Sequence, residues 1–118
     1  MLRFRLKFGH LMKVTRPDGC DGLVPKNNPK SSQAFYDALI GSVKDYGFDF
    51  AKIDYQMRDL EWYMGTDNAV EATVINLQAM EQAAKKNLNG MINCMAHNNV
   101  CIFNTKYSAV TRCSKDYK

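Results

Sequence analysis

Apolar and polar residues alternate strictly over residues 2–8, where Leu2, Phe4, Leu6 and Phe8 are separated by Arg3, Arg5 and Lys7. That period of two predicts a strand with one buried face. Residues 9–30 lose the pattern and hold all three prolines, Pro17, Pro25 and Pro29, together with Gly19, Gly22, Asn27 and Asn28, so they read as loop-rich. From Ser31-Ser32 the spacing changes to three and four, with Ala34, Phe35, Ala38, Leu39, Val43 and Tyr46 recurring as on one helix face. A serine cap starts that helix and Gly47 stops it. Residues 48–54 form a short apolar strand, followed by a polar, aromatic loop through Gly65.

A second helix is predicted over 68–88, with Val70, Val74, Leu77, Met80 and Ala84 on one face. Lys85 and Lys86 in its last turn suit the negative end of the helix dipole. Three further short strands are expected at 91–96, 100–103 and 108–113. Helices alternating with wholly apolar strands argue for an α/β fold with crossover connections and a parallel sheet. Chemistry in such sheets sits at the carboxyl ends of the strands. A closed eight-stranded α/β barrel takes ~250 residues, so 118 residues supply about half of one. The expectation is a single partial (β/α)8 TIM-type barrel domain, 1–118, truncated at both ends. Its open edges and apolar face call for the missing remainder of the barrel or for self-association.

Charge narrows the function classes. Sixteen Lys and Arg against twelve Asp and Glu leave a net charge of +4 with no concentrated basic stripe, which argues against nucleic acid as partner. No run of ~18 apolar residues occurs and the N-terminus lacks a signal-peptide core, so the chain is expected to be soluble, with no membrane partner and no assignable compartment. Four cysteines without a C-x-x-C pair are expected to be ordinary thiols.

The candidate chemistry lies at the predicted strand ends. Asp54 closes one apolar strand and Asp116 follows another. Two carboxylates meeting in one cleft are what glycoside cleavage requires. Lys52 shares a strand face with Asp54, where its cation would keep the carboxylate ionised and could donate to sugar hydroxyls. Arg112 and Asp116 repeat the pairing four residues apart. Trp62, Tyr55 and Tyr63 offer rings either for stacking on sugars or for packing on a neighbouring helix. Cys94, His97, Cys101 and Cys113 have a spacing from which zinc could be held; this supports the rival reading, a non-catalytic small α/β binding or structural module. Cys94 and Cys101 sit in apolar runs, where cysteine also serves as a small hydrophobe.

The segment GFDFAKIDYQ (47–56) resembles the G-(V/I)-D-x-(V/L)-K-V-D-x-Q stretch of the raffinose synthase and seed imbibition protein family, relatives of the α-galactosidases of glycoside hydrolase family 36. The likeness extends from about Gly22 to Tyr117 and includes GLVPKNNPKSSQAFYDALIGSVKDYG, the helix AVEATVINLQAMEQAAKKNLNG and MINCMAHNNVCIFNTKYSAVTRCSKDY. It implies a catalytic (β/α)8 barrel, retaining chemistry on α-galactosides, by hydrolysis or galactosyl transfer, and no metal or organic cofactor. By the resemblance Asp54 is the nucleophile at the end of the fourth strand and Lys52 bonds the galactosyl hydroxyls. Arg112 contacts the sugar, Asp116 is the acid/base after the sixth strand, and Cys94 lines the pocket at the end of the fifth. Where the family often carries two acidic residues, this chain has Lys115-Asp116, which leaves one carboxylate for the acid/base role.

Overall fold

A computed structural model describes residues 8–112 and 114. The expected strand over 2–8 therefore falls outside the described residues except for Phe8, which opens a 3-10 turn, Phe8–His10. Residues 9–30 are not mainly loop: strand β1 (Leu11–Thr15) pairs antiparallel with β2 (Asp21–Pro25) in a hairpin. The prolines that suggested a loop stand at element boundaries. Pro17 lies in the hairpin turn, which the Gly19 amide closes onto the Arg16 carbonyl at 2.9 Å. Pro25 ends β2, and Pro29 is the first residue of helix α1 (Pro29–Asp45), where its missing N–H costs nothing. The cap of α1 is Asn28 rather than a serine, its side chain accepting the Ser31 amide at 2.9 Å. Ser31 and Ser32 are buried inside the first turn.

Strand β3 (Phe50–Ile53), the long helix α2 (Ala69–Asn87) and strand β4 (Gly90–Asn93) follow the predicted order. Between β3 and α2, the expected loop is largely a 3-10 turn, Gln56–Trp62. The expected strand 100–103 is instead helix α3 (Asn99–Asn104). Asn98 decides the matter, because its side chain accepts the Cys101 amide at 2.8 Å and nucleates a helical turn that a four-residue apolar run does not specify by itself. Ile102 and Phe103 are left exposed. The short strand β5 (Val110–Thr111) completes a three-stranded sheet in the order β3-β4-β5, parallel throughout.

Helices α1 and α2 cover one face of this sheet. Ile40 from α1, Leu77, Met80, Ala83 and Ala84 from α2, Leu88, and Ala51 and Met91 from the strands make the main core, with Ile53 packed against it. Strand residues alternate, so Phe50, Lys52, Ile92 and Val110 belong to the opposite face. There Phe50 and Val110 are exposed. A second cluster of Val24, Tyr63 and Ala72, with Met12, Val14 and Trp62 against it, fastens the hairpin to the start of α2. Among the described residues no helix is long and apolar enough to cross a membrane.

Candidate functional site

The parallel register aligns Lys52 with Ile92 and Ile53 with Asn93, and Asn93 in turn with Thr111. Pairing continues one step further: the Cys94 amide donates to the Ile53 carbonyl at 2.8 Å and the Arg112 amide to the Asn93 carbonyl at 2.9 Å. Asp54, Cys94 and Arg112 thus stand side by side at the carboxyl ends of β3, β4 and β5, with Lys52 two residues back on the Asp54 face.

The electrostatics agree with this row. The Cys94 thiol, itself buried, donates to the Asp54 carboxylate and is the main reason that its pKa lies below the ordinary carboxylate value. The Tyr55 amide adds a 2.7 Å bond; desolvation opposes these two bonds, and the charges of Lys52 and Arg112 lower the pKa by smaller amounts. Asp54 remains solvent-exposed. It is an ionised, accessible carboxylate beside two cations, the state a nucleophile requires.

The backbone turns sharply just past the row. Tyr55 has φ 64° and Met95 φ 48°, each the residue immediately after a member of the row. Such left-handed geometry in non-glycine residues costs about 1 kcal/mol or more apiece and persists only where neighbours impose it. The Met57 amide bonds the Met95 carbonyl at 2.8 Å, joining the two turns.

Of the remaining candidates, Asp116 and Cys113 lie outside the described residues. The contacts of Trp62 run to the hairpin: the Arg16 guanidinium lies 4.6 Å from its ring centroid, and its ring edge packs on Gly22. Of the set with zinc-like spacing, the described members Cys94, His97 and Cys101 do not gather as a metal site. His97 is exposed, and Cys94 is engaged with Asp54. Burial pushes the Cys101 thiol up to about 11, so it stays protonated. Among the described residues no three His, Cys, Asp or Glu side chains gather as a metal site.

Three buried polar residues that the pattern did not single out support the row. Glu81 on α2 is 5% exposed, and its carboxylate accepts the amides of Lys106, Tyr107 and Ser108, fixing the loop that enters β5. Gln56 and Asn93 are buried beneath the strand ends and bonded to each other. The signal for Asn93 was available: an amide inside the apolar run MINCMA requires a buried partner.

Comparison with known proteins gives a consistent grouping. The family described as "Raffinose synthase or seed imbibition protein Sip1" matches residues 19–118. A probable galactinol–sucrose galactosyltransferase 6 of Arabidopsis thaliana is 35% identical over 92 residues, covering 76% of this chain and 12% of that protein. A probable galactinol–sucrose galactosyltransferase 1 of the same plant is 31% identical over 106 residues, covering 84% of this chain and 14% of that protein. The chain therefore spans only a small part of the length of these curated relatives.

Proposed function

Because the chain belongs to the raffinose synthase or seed imbibition protein family, we propose that it supplies the nucleophile side of a retaining galactosyl-transfer site. The observation that carries this reading is the row Asp54, Cys94, Arg112, with Lys52 behind it, at the carboxyl ends of three parallel strands. In this reading β3, β4 and β5 are the fourth, fifth and sixth strands of a (β/α)8 barrel. The uncovered face bearing Phe50, Lys52, Ile92 and Val110 lines the barrel interior.

The steps follow from retaining chemistry. Asp54 attacks the anomeric carbon of an α-galactoside while Asp116 protonates the departing oxygen, and an ester between Asp54 and the galactosyl group results. An acceptor hydroxyl, deprotonated by Asp116, then displaces Asp54 and restores the original configuration. Lys52 and Arg112 hold the sugar hydroxyls and keep Asp54 ionised, while the Cys94 thiol aims its carboxylate. The donor and acceptor named for the relatives, galactinol and sucrose, are the substrates to try first. These two carboxylates suffice for the chemistry, and the reading calls for no metal or cofactor.

The test is turnover of an aryl α-galactoside, and of galactinol with sucrose, by the intact protein that carries this chain. Asp54→Ala is expected to lower kcat by about a thousandfold or more, with the substrate still bound. Unchanged turnover would end the assignment.

A further inference from the structure

We propose that Gln56 and Asn93 are positioning residues, forming one hydrogen-bond relay beneath the strand ends that sets the alignment of Asp54, Cys94 and Arg112. Gln56 is 1% exposed and Asn93 is fully buried. The Gln56 Nε2 donates to the Ile53 carbonyl and to the Asn93 Oδ1, both at 2.9 Å. Ile53 directly precedes Asp54, and Asn93 directly precedes Cys94. The relay then reaches the third strand. The Asn93 carbonyl accepts the Arg112 amide at 2.9 Å, and the Asn93 amide donates at 3.1 Å to the Ser108 Oγ, whose hydroxyl lies 2.8 Å from the Val110 carbonyl. Outward, the Asn93 Nδ2 donates to the Thr105 Oγ1 at 3.2 Å. The Gln56 carbonyl accepts the Asn98 Nδ2 at 2.9 Å, which ties the relay to the cap of α3.

Two features set this network apart from general packing. Both groups facing the Gln56 side-chain amide are acceptors, so only its NH2 end fits there, and the amide orientation is dictated. Its Oε1 then remains buried with no partner among the described residues, a cost that an apolar side chain would avoid. Met91, two residues earlier on the same face as Asn93, shows that an apolar side chain packs well on that side of the sheet. Secondly, the strained residues Tyr55 and Met95 flank the relay, and rigid surroundings are what keep such geometry in place. Two fixed amides give direction to the groups that act, since a misplacement on the order of 1 Å costs about a hundredfold in rate.

The activity readout rests on the galactosyl-transfer reading, so a second readout is independent of it. Gln56→Met and Asn93→Leu are made in the intact protein, which is assayed for transfer, and the Asp54 carboxyl is titrated by carbon-13 NMR. The relay predicts a fall in kcat of about tenfold to a hundredfold with KM changed less than about threefold. It also predicts a rise in the Asp54 pKa as the Cys94 thiol slips away. Folded variants with wild-type kcat and an unchanged Asp54 titration would overturn the proposal, whatever their melting temperature. If both variants fail to fold, Thr105→Val removes the outer link together with the 2.7 Å bond from the Thr105 hydroxyl to the Cys101 carbonyl, and leaves the Gln56–Asn93 bond intact. It is expected to move kcat and the Asp54 titration in the same directions by less, and no movement in either overturns the relay. If the wild-type protein shows no transfer but the Asp54 titration still shifts in Gln56→Met, the relay stands and the galactosyl-transfer reading falls.

Discussion

Replacing Glu81 with glutamine removes a charge from a buried clamp while keeping its shape. The two carboxylate oxygens make four contacts with three consecutive amides: Lys106 to both oxygens at 3.1 and 2.9 Å, Tyr107 to Oε2 at 3.1 Å and Ser108 to Oε1 at 3.2 Å. A glutamine offers one acceptor oxygen, and its NH2 faces amide donors whichever way it is turned. Two of the four contacts are therefore lost. At about 1.5 kcal/mol each, the low end for bonds to a charged group because the donating loop is itself partly exposed, the loss is about 3 kcal/mol. For a domain of this size about 1 kcal/mol corresponds to ~4 °C, so the melting temperature of the chain should drop by ~12 °C. Circular dichroism on heating gives that number, and hydrogen exchange of the Lys106, Tyr107 and Ser108 amides should lose protection selectively. A drop below ~2 °C with unchanged exchange at those amides would refute the clamp, because it would leave about 0.5 kcal/mol for contacts assigned about six times as much.

Three further outcomes follow from the same structure. Burial raises the Asp59 carboxyl from 3.8 to about 7, so the folded state holds a proton that the unfolded chain has released between those values. Stability then falls as pH rises from about 4 to about 7 and is level above; Asn at position 59 should remove this slope and stabilise the chain at pH 8 by ~2 kcal/mol, half the full linkage value because the residue is partly exposed. Urea unfolding of both forms at several pH values checks it, and parallel pH profiles would count against a protonated Asp59. In Gly22→Ala the new methyl would stand 2.5 Å from the Trp62 ring, which Arg16 holds from its face. A loss of ~1–3 kcal/mol is expected, with a shift in the emission of Trp62, the single tryptophan. Cys94→Ala deletes the leading cause of the low Asp54 pKa. The Asp54 titration and the acid limb of the activity profile should both move to higher pH, and a stationary titration would show that the thiol does not aim the carboxylate.

The parts of the fold legible in sequence were those where one physical signal dominated. Helices α1 and α2 each carry a long apolar face, and the runs 48–54 and 91–96 are short, apolar and bounded by glycine or polar residues, so their type followed directly. The strands came out shorter, Phe50–Ile53 and Gly90–Asn93, because the chain turns at Tyr55 and Met95, and a left-handed residue that is not glycine leaves no mark in composition. The hairpin was hidden by Pro17 and Pro25, which sit at its turn and its end, where proline is tolerated. Helix α3 was hidden because its capping Asn98 reads, in sequence, as part of a polar patch. The placement of Lys52, Asp54, Cys94 and Arg112 at neighbouring strand ends was legible because family motif and strand period agreed on it. Glu81 was not: on paper it is one more charge on α2, and only the fold brings it under the loop of Lys106, Tyr107 and Ser108.

In the proposed galactosyl transfer, Asp54 forms the covalent bond to the sugar. A galactosyl fluoride whose second step is slowed, incubated with the intact protein and followed by proteolysis and mass spectrometry, tests it directly. One galactosyl adduct is expected, on Asp54, together with transfer products that keep the α configuration. An adduct on any other residue, or products of inverted configuration, would contradict it.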